Sequence, residues 1–245
     1  MRGGRGTPMY PGKITTSSAS RVWIACTSAS RALADPRRAD EVARLGEVTG
    51  RVALENLRAS LRATADGRAL LAARPLIGSA SPLLQPDALL AHPRGSFGRA
   101  YGEFMRTHGF DADERAAVTL VDGDEELAWV MTRYRQVHDL WHVLCGLPPS
   151  VLGELALKWF ELVQTRLPVA GLSAVVGPLS LRSWEERRLL ARVYVPWAAR
   201  AGRRAVPLMG VWYERHLEMP LDELRRITRV EPAPAVPDRG AAAPE

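Results

Sequence analysis

At 245 residues the chain is long enough to bury a full core without covalent staples, and its 47% apolar and 24% charged residues exclude a disordered or fibrous polymer. Two cysteines, Cys26 and Cys145, exclude a disulfide framework and favour a reducing compartment. The net charge of +6 calls for anionic partners, but no basic run interleaved with aromatics and no zinc-finger or helix-turn-helix spacing is present, so a membrane surface is expected and nucleic acid is not.

In chain order, the first 34 residues hold five basic residues, five serines and no acid, which is the composition of a mitochondrial targeting segment. Val22, Trp23, Cys26, Ala29 and Leu33 predict a helix over 19–34, ended by Asp35-Pro36. Further helices are predicted over 42–63 and 66–73. Residues 74–98 carry Pro75, Pro82, Pro86 and Pro93 and read as an irregular segment draped over helices. Phe97, Tyr101, Phe104 and Met105 are spaced for the next helix, and the acids of 111–117 suit the start of another. Residues 167–181 run fifteen positions without a charge, too short and too interrupted to span a bilayer. They are expected to form a tightly packed buried connection or a contact with lipid. A helix follows over 184–200, with Arg187-Arg188 inside it and Arg203-Arg204 beyond. Residues 206–216 are apolar enough for a core helix or a subunit contact, and Pro-Ala-Gly composition from 231 predicts a disordered tail. No period-two run of β-branched residues occurs, so the fold expected is an all-α bundle: one domain over 1–230 and a tail over 231–245.

The chemistry is concentrated at 122–166. Leu127, Val130, Met131, Tyr134, His138, Trp141 and Cys145 recur at helical spacing, with Asp122 or Asp124 as the cap. Gly146-Leu147-Pro148-Pro149 stops this helix, and Ser150 can cap a second one with its own apolar stripe. A link this short makes an antiparallel hairpin. At about 100° per residue, His138, Asp139 and His142 share an arc of roughly 100°. His142 lies about one turn before the break and Glu154 about one turn after it, so the two face each other. Two imidazoles and two carboxylates converging make His138, Asp139, His142 and Glu154 candidate metal ligands. Taken singly, Asp139 could pair with Arg135 and Glu154 with Lys158 on ordinary solvated faces. Together, the hairpin aims them at one point. The absence of Glu after the first His argues against a zinc-protease helix.

Arg133 to His142, the Gly-Leu-Pro-Pro break, and Gly153-Glu154 through Lys158-Trp159-Phe160-Glu161 resemble the signature of the fourth Coq protein of ubiquinone biosynthesis, HDxxH, eleven residues, then Glu. Blocks at Tyr10-Pro11-Gly12, Asp35 to Arg38, Leu45 to Gly50, Gly95 to Arg99, Val121 to Leu127, Pro196-Trp197 and Tyr213 to Arg215 are similar to that family in the same order. The match at Tyr10 leaves only residues 1–9 as a remnant of a targeting segment. Lys13, where the family often has His, touches no expected ligand.

The resemblance implies a helical, dimeric protein peripheral to the matrix side of the mitochondrial inner membrane, working among the other ubiquinone-biosynthesis enzymes. It implies a lyase that takes the C1 carboxyl from a 4-hydroxy-3-methoxy-5-polyprenylbenzoate, with replacement of that group by hydroxyl attributed to the same family. Zinc is the first expectation for the metal. Iron(II) is the second, if one carboxylate leaves a two-histidine, one-carboxylate site. Glu154 is expected to act as proton donor or base beside His142, and Arg133 and Arg135 are candidate partners of the substrate carboxylate. A non-catalytic lipid-binding scaffold is the alternative. A metal phosphohydrolase is a weaker third, because the further ligands it needs are not evident.

Overall fold

The computed structural model describes residues 50–78, 81, 84–110 and 124–235. The expected helix at 19–34, the targeting remnant at 1–9, the start of the 42–63 helix, the acidic start at 111–117 and residues 236–245 lie outside them. Helix α1 (Arg51–Ala63) buries Ala53, Leu54, Leu57 and Leu61 along one stripe, and α2 (Ala65–Ala73) begins where Thr64 accepts a hydrogen bond from Gly67 N–H. The proline-rich stretch hangs on the central helix: Pro75 O accepts from Trp129 Nε1, and the Ile77 backbone exchanges two bonds with the Gln136 amide. It also contains a short helix the sequence did not suggest, α3 (Pro86–Ala91). Pro86 sits in its first turn, where a missing N–H costs nothing. Helix α4 (Phe97–His108) is capped by Ser96 and closed by Gly109.

The central helix α5 (Glu125–Cys145) starts at Asp124, whose carboxylate accepts from the N–H groups of Glu126 and Leu127. Its apolar surface wraps most of the way round, because α1 and α4 pack on it from outside the hairpin. Gly146, at φ 70°, ends it in the left-handed conformation that only glycine adopts without strain. Helix α6 (Val151–Thr165), capped by Ser150, then returns along α5. Helix α7 (Pro168–Val176) and a 3-10 turn (Gly177–Ser180) pack on α6. Next come α8 (Trp184–Leu189), a π-helical segment (Leu190–Tyr194) and α9 (Val195–Arg204). The widened segment directly precedes Pro196, whose ring and missing N–H do not fit a regular α ladder. Trp141, Phe160 and Trp197 join α5, α6 and α9, with ring centroids 6.1 and 5.6 Å apart.

Three expectations change. Residues 167–181 are not a buried connection: they form α7 and the 3-10 turn, and they leave Val175 and Leu179 exposed. The apolar run at 206–216 is not one helix, because Pro207 and Gly210 break it into two 3-10 turns, Leu208–Gly210 and Tyr213–Arg215. It does belong to the core, through buried Leu208, Met209 and Tyr213. Residues 231–235 are not loose. Glu231 O accepts from Trp197 Nε1, Ala235 O from the Tyr194 hydroxyl, and Ala233 N–H donates to Cys145 O. Ahead of them lies α10 (Leu221–Thr228), which the sequence reading passed over. The described residues hold no strand, only an isolated bridge between Ser96 and Pro220. No helix among them is long and apolar enough to cross a membrane.

Candidate metal centre

The end of α5 that carries His142 is fully capped. His142 O accepts from Leu147 N–H, Val143 O from Gly146 N–H and Arg225 Nη2, Leu144 O from Arg225 Nε, and Cys145 O from Ala233 N–H. All four carbonyls that a helix leaves without partners are thereby satisfied. Across the bend, a Cβ on Gly153 would lie 2.0 Å from Pro148 O. Glycine therefore lets the bend close tightly over the first turn of α6 and sets the height of Glu154.

Among the described residues, His138, His142 and Glu154 form one group whose donor atoms all lie within 4.8 Å of one another. His138 Nε2 is 3.3 Å from Glu154 Oε2, and His142 Nε2 is 3.0 Å from Glu154 Oε1. The far nitrogens are already committed. His142 Nδ1 lies 3.0 Å from Leu147 O, an acceptor, so that nitrogen carries the proton. His138 Nδ1 lies 2.5 Å from the Glu161 carboxylate. When the rings are neutral, both Nε2 atoms offer lone pairs toward a carboxylate that also only accepts. His142 Nε2 is buried and has no aligned hydrogen-bond partner. Such an arrangement needs a proton or another cation between the rings and the carboxylate, which makes the group a candidate cation site. Zinc bound at about 2.0–2.1 Å from each donor sets tetrahedral neighbours roughly 3.4 Å apart, close to the spacings found. The residues fit the ion.

The electrostatics agree. Burial pushes the Glu154 carboxyl upward, but the hydrogen bonds and charges of His138 and His142 outweigh it and hold Glu154 far below the usual carboxylate range. At His138, burial and the Lys158 ammonium favour the neutral ring, yet Glu161 and Glu154 prevail and raise its proton affinity. The pair of carboxylates thus attracts positive charge, whether proton or metal.

Asp139, expected as the fourth ligand, is buried on α5 but is not one of the three grouped side chains. Arg133 does not face the site: it is fully buried and grips Glu214 through Nη1 and Nη2 at 2.5 and 2.9 Å. That bidentate pair ties α5 to the 3-10 turn at 213–215. Lys158 pairs with Glu161 at 2.7 Å rather than with Glu154. Cys145 is fully buried, and burial pushes its thiol well up, so it is a packing residue.

Sequence reasoning missed Glu161 as a site residue. It is fully buried and binds His138, the Tyr134 hydroxyl at 2.6 Å and Lys158. A signal existed: Glu161 follows Glu154 by seven residues, about two turns, so both share one face of α6. Phe104 of α4 stacks on the His142 ring at 5.5 Å and covers its apolar side.

The fold is an all-helical bundle whose hairpin brings two histidines and one carboxylate together. Residues 10–234 match the family model described as coenzyme Q (ubiquinone) biosynthesis protein Coq4. The chain belongs to the Coq4 family and to ubiquinone biosynthesis. Relatives named mitochondrial ubiquinone biosynthesis protein COQ4 homologues include one from Bos taurus, 45% identical over 218 residues (89% of this chain, 81% of the relative), and one from Aedes aegypti, 42% identical over 219 residues (89% and 78%). A crystal structure of a Nostoc punctiforme protein that carries a ubiquinone-biosynthesis name shares the fold at a TM-score of 0.67 and 20% identity, over 87% of this chain and 98% of that one.

Proposed function

We propose that the chain removes the C1 carboxyl of a 4-hydroxy-3-methoxy-5-polyprenylbenzoate in ubiquinone biosynthesis, using a divalent metal held by His138, His142 and Glu154. The observation that carries this reading is the grouping of His138, His142 and Glu154, with the buried His142 Nε2 3.0 Å from Glu154 Oε1 and without an aligned hydrogen-bond partner. The family supplies the pathway. Three protein ligands leave a position open, as catalytic zinc and iron(II) sites do. When bound, the ion offers a Lewis-acid contact to the substrate's carboxylate or phenolate oxygen.

The chain's own groups do the rest. Leu147 O and Glu161 fix the two imidazoles in one tautomer and orientation. As the bond to the carboxyl breaks, carbon dioxide leaves, the electron pair remains on C1, and a proton from water takes its place. The neighbouring imidazoles hold the Glu154 carboxyl far below the usual range, which suits a ligand or a base. The Tyr134 hydroxyl and the Lys158 ammonium donate hydrogen bonds to the Glu161 carboxylate, one side chain behind His138. We assign the protein to the matrix face of the mitochondrial inner membrane, peripheral and dimeric among the other ubiquinone-synthesis enzymes. The names of its relatives support the mitochondrion as the compartment.

The test incubates purified wild type, His142→Ala and Glu154→Ala with the prenylated benzoate, with and without dioxygen, after elemental analysis of each protein. Wild type should carry zinc or iron and form product; both variants should lose the metal and at least about a hundredfold of the rate. Turnover at the wild-type rate by both variants overturns the proposal. The alternative, a lipid-holding scaffold without chemistry, is favoured by the exposed apolar side chains of α7 and α8. It predicts normal ubiquinone synthesis in cells that carry either variant.

A further inference from the structure

The charge of this chain is segregated. Residues 162–213 contain eight arginines and two glutamates, so this stretch alone carries the whole +6, and the remainder sums to zero. The same stretch holds a cluster of exposed apolar side chains: Val175 is 68%, Leu179 73% and Trp184 75% exposed, at the end of α7, in the 3-10 turn and at the start of α8. Exposing a tryptophan and two aliphatic side chains within ten residues of sequence is unfavourable in water unless something covers them. Arg182 lies between Leu179 and Trp184, Arg188 lies one turn beyond Trp184 on the same helix, and Arg192 follows; all three are exposed. Exposed apolar side chains interleaved in sequence with exposed arginines, which outnumber the Glu185 and Glu186 beside Trp184, match the two layers of an anionic bilayer surface: acyl boundary beneath, phosphate above.

The placement also suits the site. Gly177 rests on the Leu155 side chain, where a Cβ would lie 2.1 Å from Leu155 Cδ2, and Leu155 follows Glu154. The Glu154 side chain is 37% exposed, so the centre opens at this end of α6. We propose that the α7–α8 edge, with Val175, Leu179 and Trp184 inserted and Arg182, Arg188 and Arg192 on lipid phosphates, is the surface by which the protein docks on an anionic phospholipid bilayer. A substrate with a polyprenyl tail then reaches the centre without leaving the membrane. This rests on the peripheral-membrane reading above and names the face responsible.

The experiment is co-flotation of the full chain with phosphatidylcholine vesicles and with equal mixtures of phosphatidylcholine and phosphatidylglycerol. The wild type should float with the mixed vesicles only, and less as salt rises. Leu179→Ser with Trp184→Ser should lower partitioning about tenfold or more, and Arg188→Glu with Arg192→Glu by at least about fivefold per arginine. Val52→Ser, at an equally exposed apolar position on α1, is the control and should float as wild type does. The changed side chains are exposed, and an unchanged melting temperature verifies folding. If the wild type floats and the edge variants float equally well, the edge is not the docking face, although the membrane reading stands. If the wild type fails to float at all, both fall. If light scattering shows the Leu179→Ser/Trp184→Ser protein losing a dimer while vesicle binding is unchanged, the edge is a seam between copies and the proposal is overturned.

Discussion

At the scale of single residues, Glu161 shows how a centre is tuned by a group that is not one of the three grouped donors. Burial pushes its carboxyl upward, but the Lys158 ammonium and His138, by charge and hydrogen bond, outweigh burial and hold it below the usual range, while the Tyr134 hydroxyl also donates to it. Glu161→Gln should therefore weaken zinc binding about 10–100-fold, measured by competition with a chromophoric chelator, while Asp139→Asn should keep its metal. A loss of metal in the Asp139 variant would return that residue to the ligand set. The donors themselves were legible, because His138, His142 and Glu154 are fixed by helical spacing on either side of a glycine–proline stop. Glu161 was not, because a glutamate three residues from Lys158 reads the same whether it faces solvent or core. Arg133 misled for a related reason: nothing near it in sequence announces Glu214.

At the scale of elements, caps and stops decide the hairpin. Asp124 caps α5 and also meets Arg58 of α1 at 2.7 Å. Burial raises its carboxyl, but the N–H groups of Leu127 and Glu126 and the Arg58 guanidinium outweigh burial and hold it below the usual range. Asp124→Ala should cost about 0.5–2 kcal/mol in urea unfolding. Because the folded value is depressed, that contribution is complete above the unfolded value of about 3.9 and is lost as pH falls through the folded value. The gap between wild type and variant should narrow only in that acidic window. Gly153→Ala is expected to lower both unfolding stability and metal affinity, since Pro148 O must move and Glu154 moves with it. Unchanged affinity would show that the bend yields without shifting the ligand. Helices with a cap and a periodic stripe were readable at this scale. Residues 167–181 were not, because a run without charge does not say which face is wet. Residues 206–216 looked helical in hydropathy, but Pro207 and Gly210 override that.

At the scale of the whole molecule, the contacts that complete the centre come from far along the chain. Arg225 of α10 holds the carbonyls of Val143 and Leu144, and Ala233 holds that of Cys145. No local pattern at 225 or 233 foretells this, so it was invisible in the sequence. Arg225→Ala should cost about 1.5–3 kcal/mol, read as a lower melting temperature. Added zinc should raise the melting temperature of the wild type, by mass action on the folded state, and leave that of His142→Ala unchanged.

The capping of α5 also orders events in time. The ribosome delivers both histidines and Glu154 some seventy residues before Arg225 and Ala233 exist. Until those late segments emerge, the helix end beneath His142 must satisfy its carbonyls with water. The nascent protein therefore has its three grouped donors early and their rigid seating later, once residues 225–233 have emerged to hold the helix end beneath them.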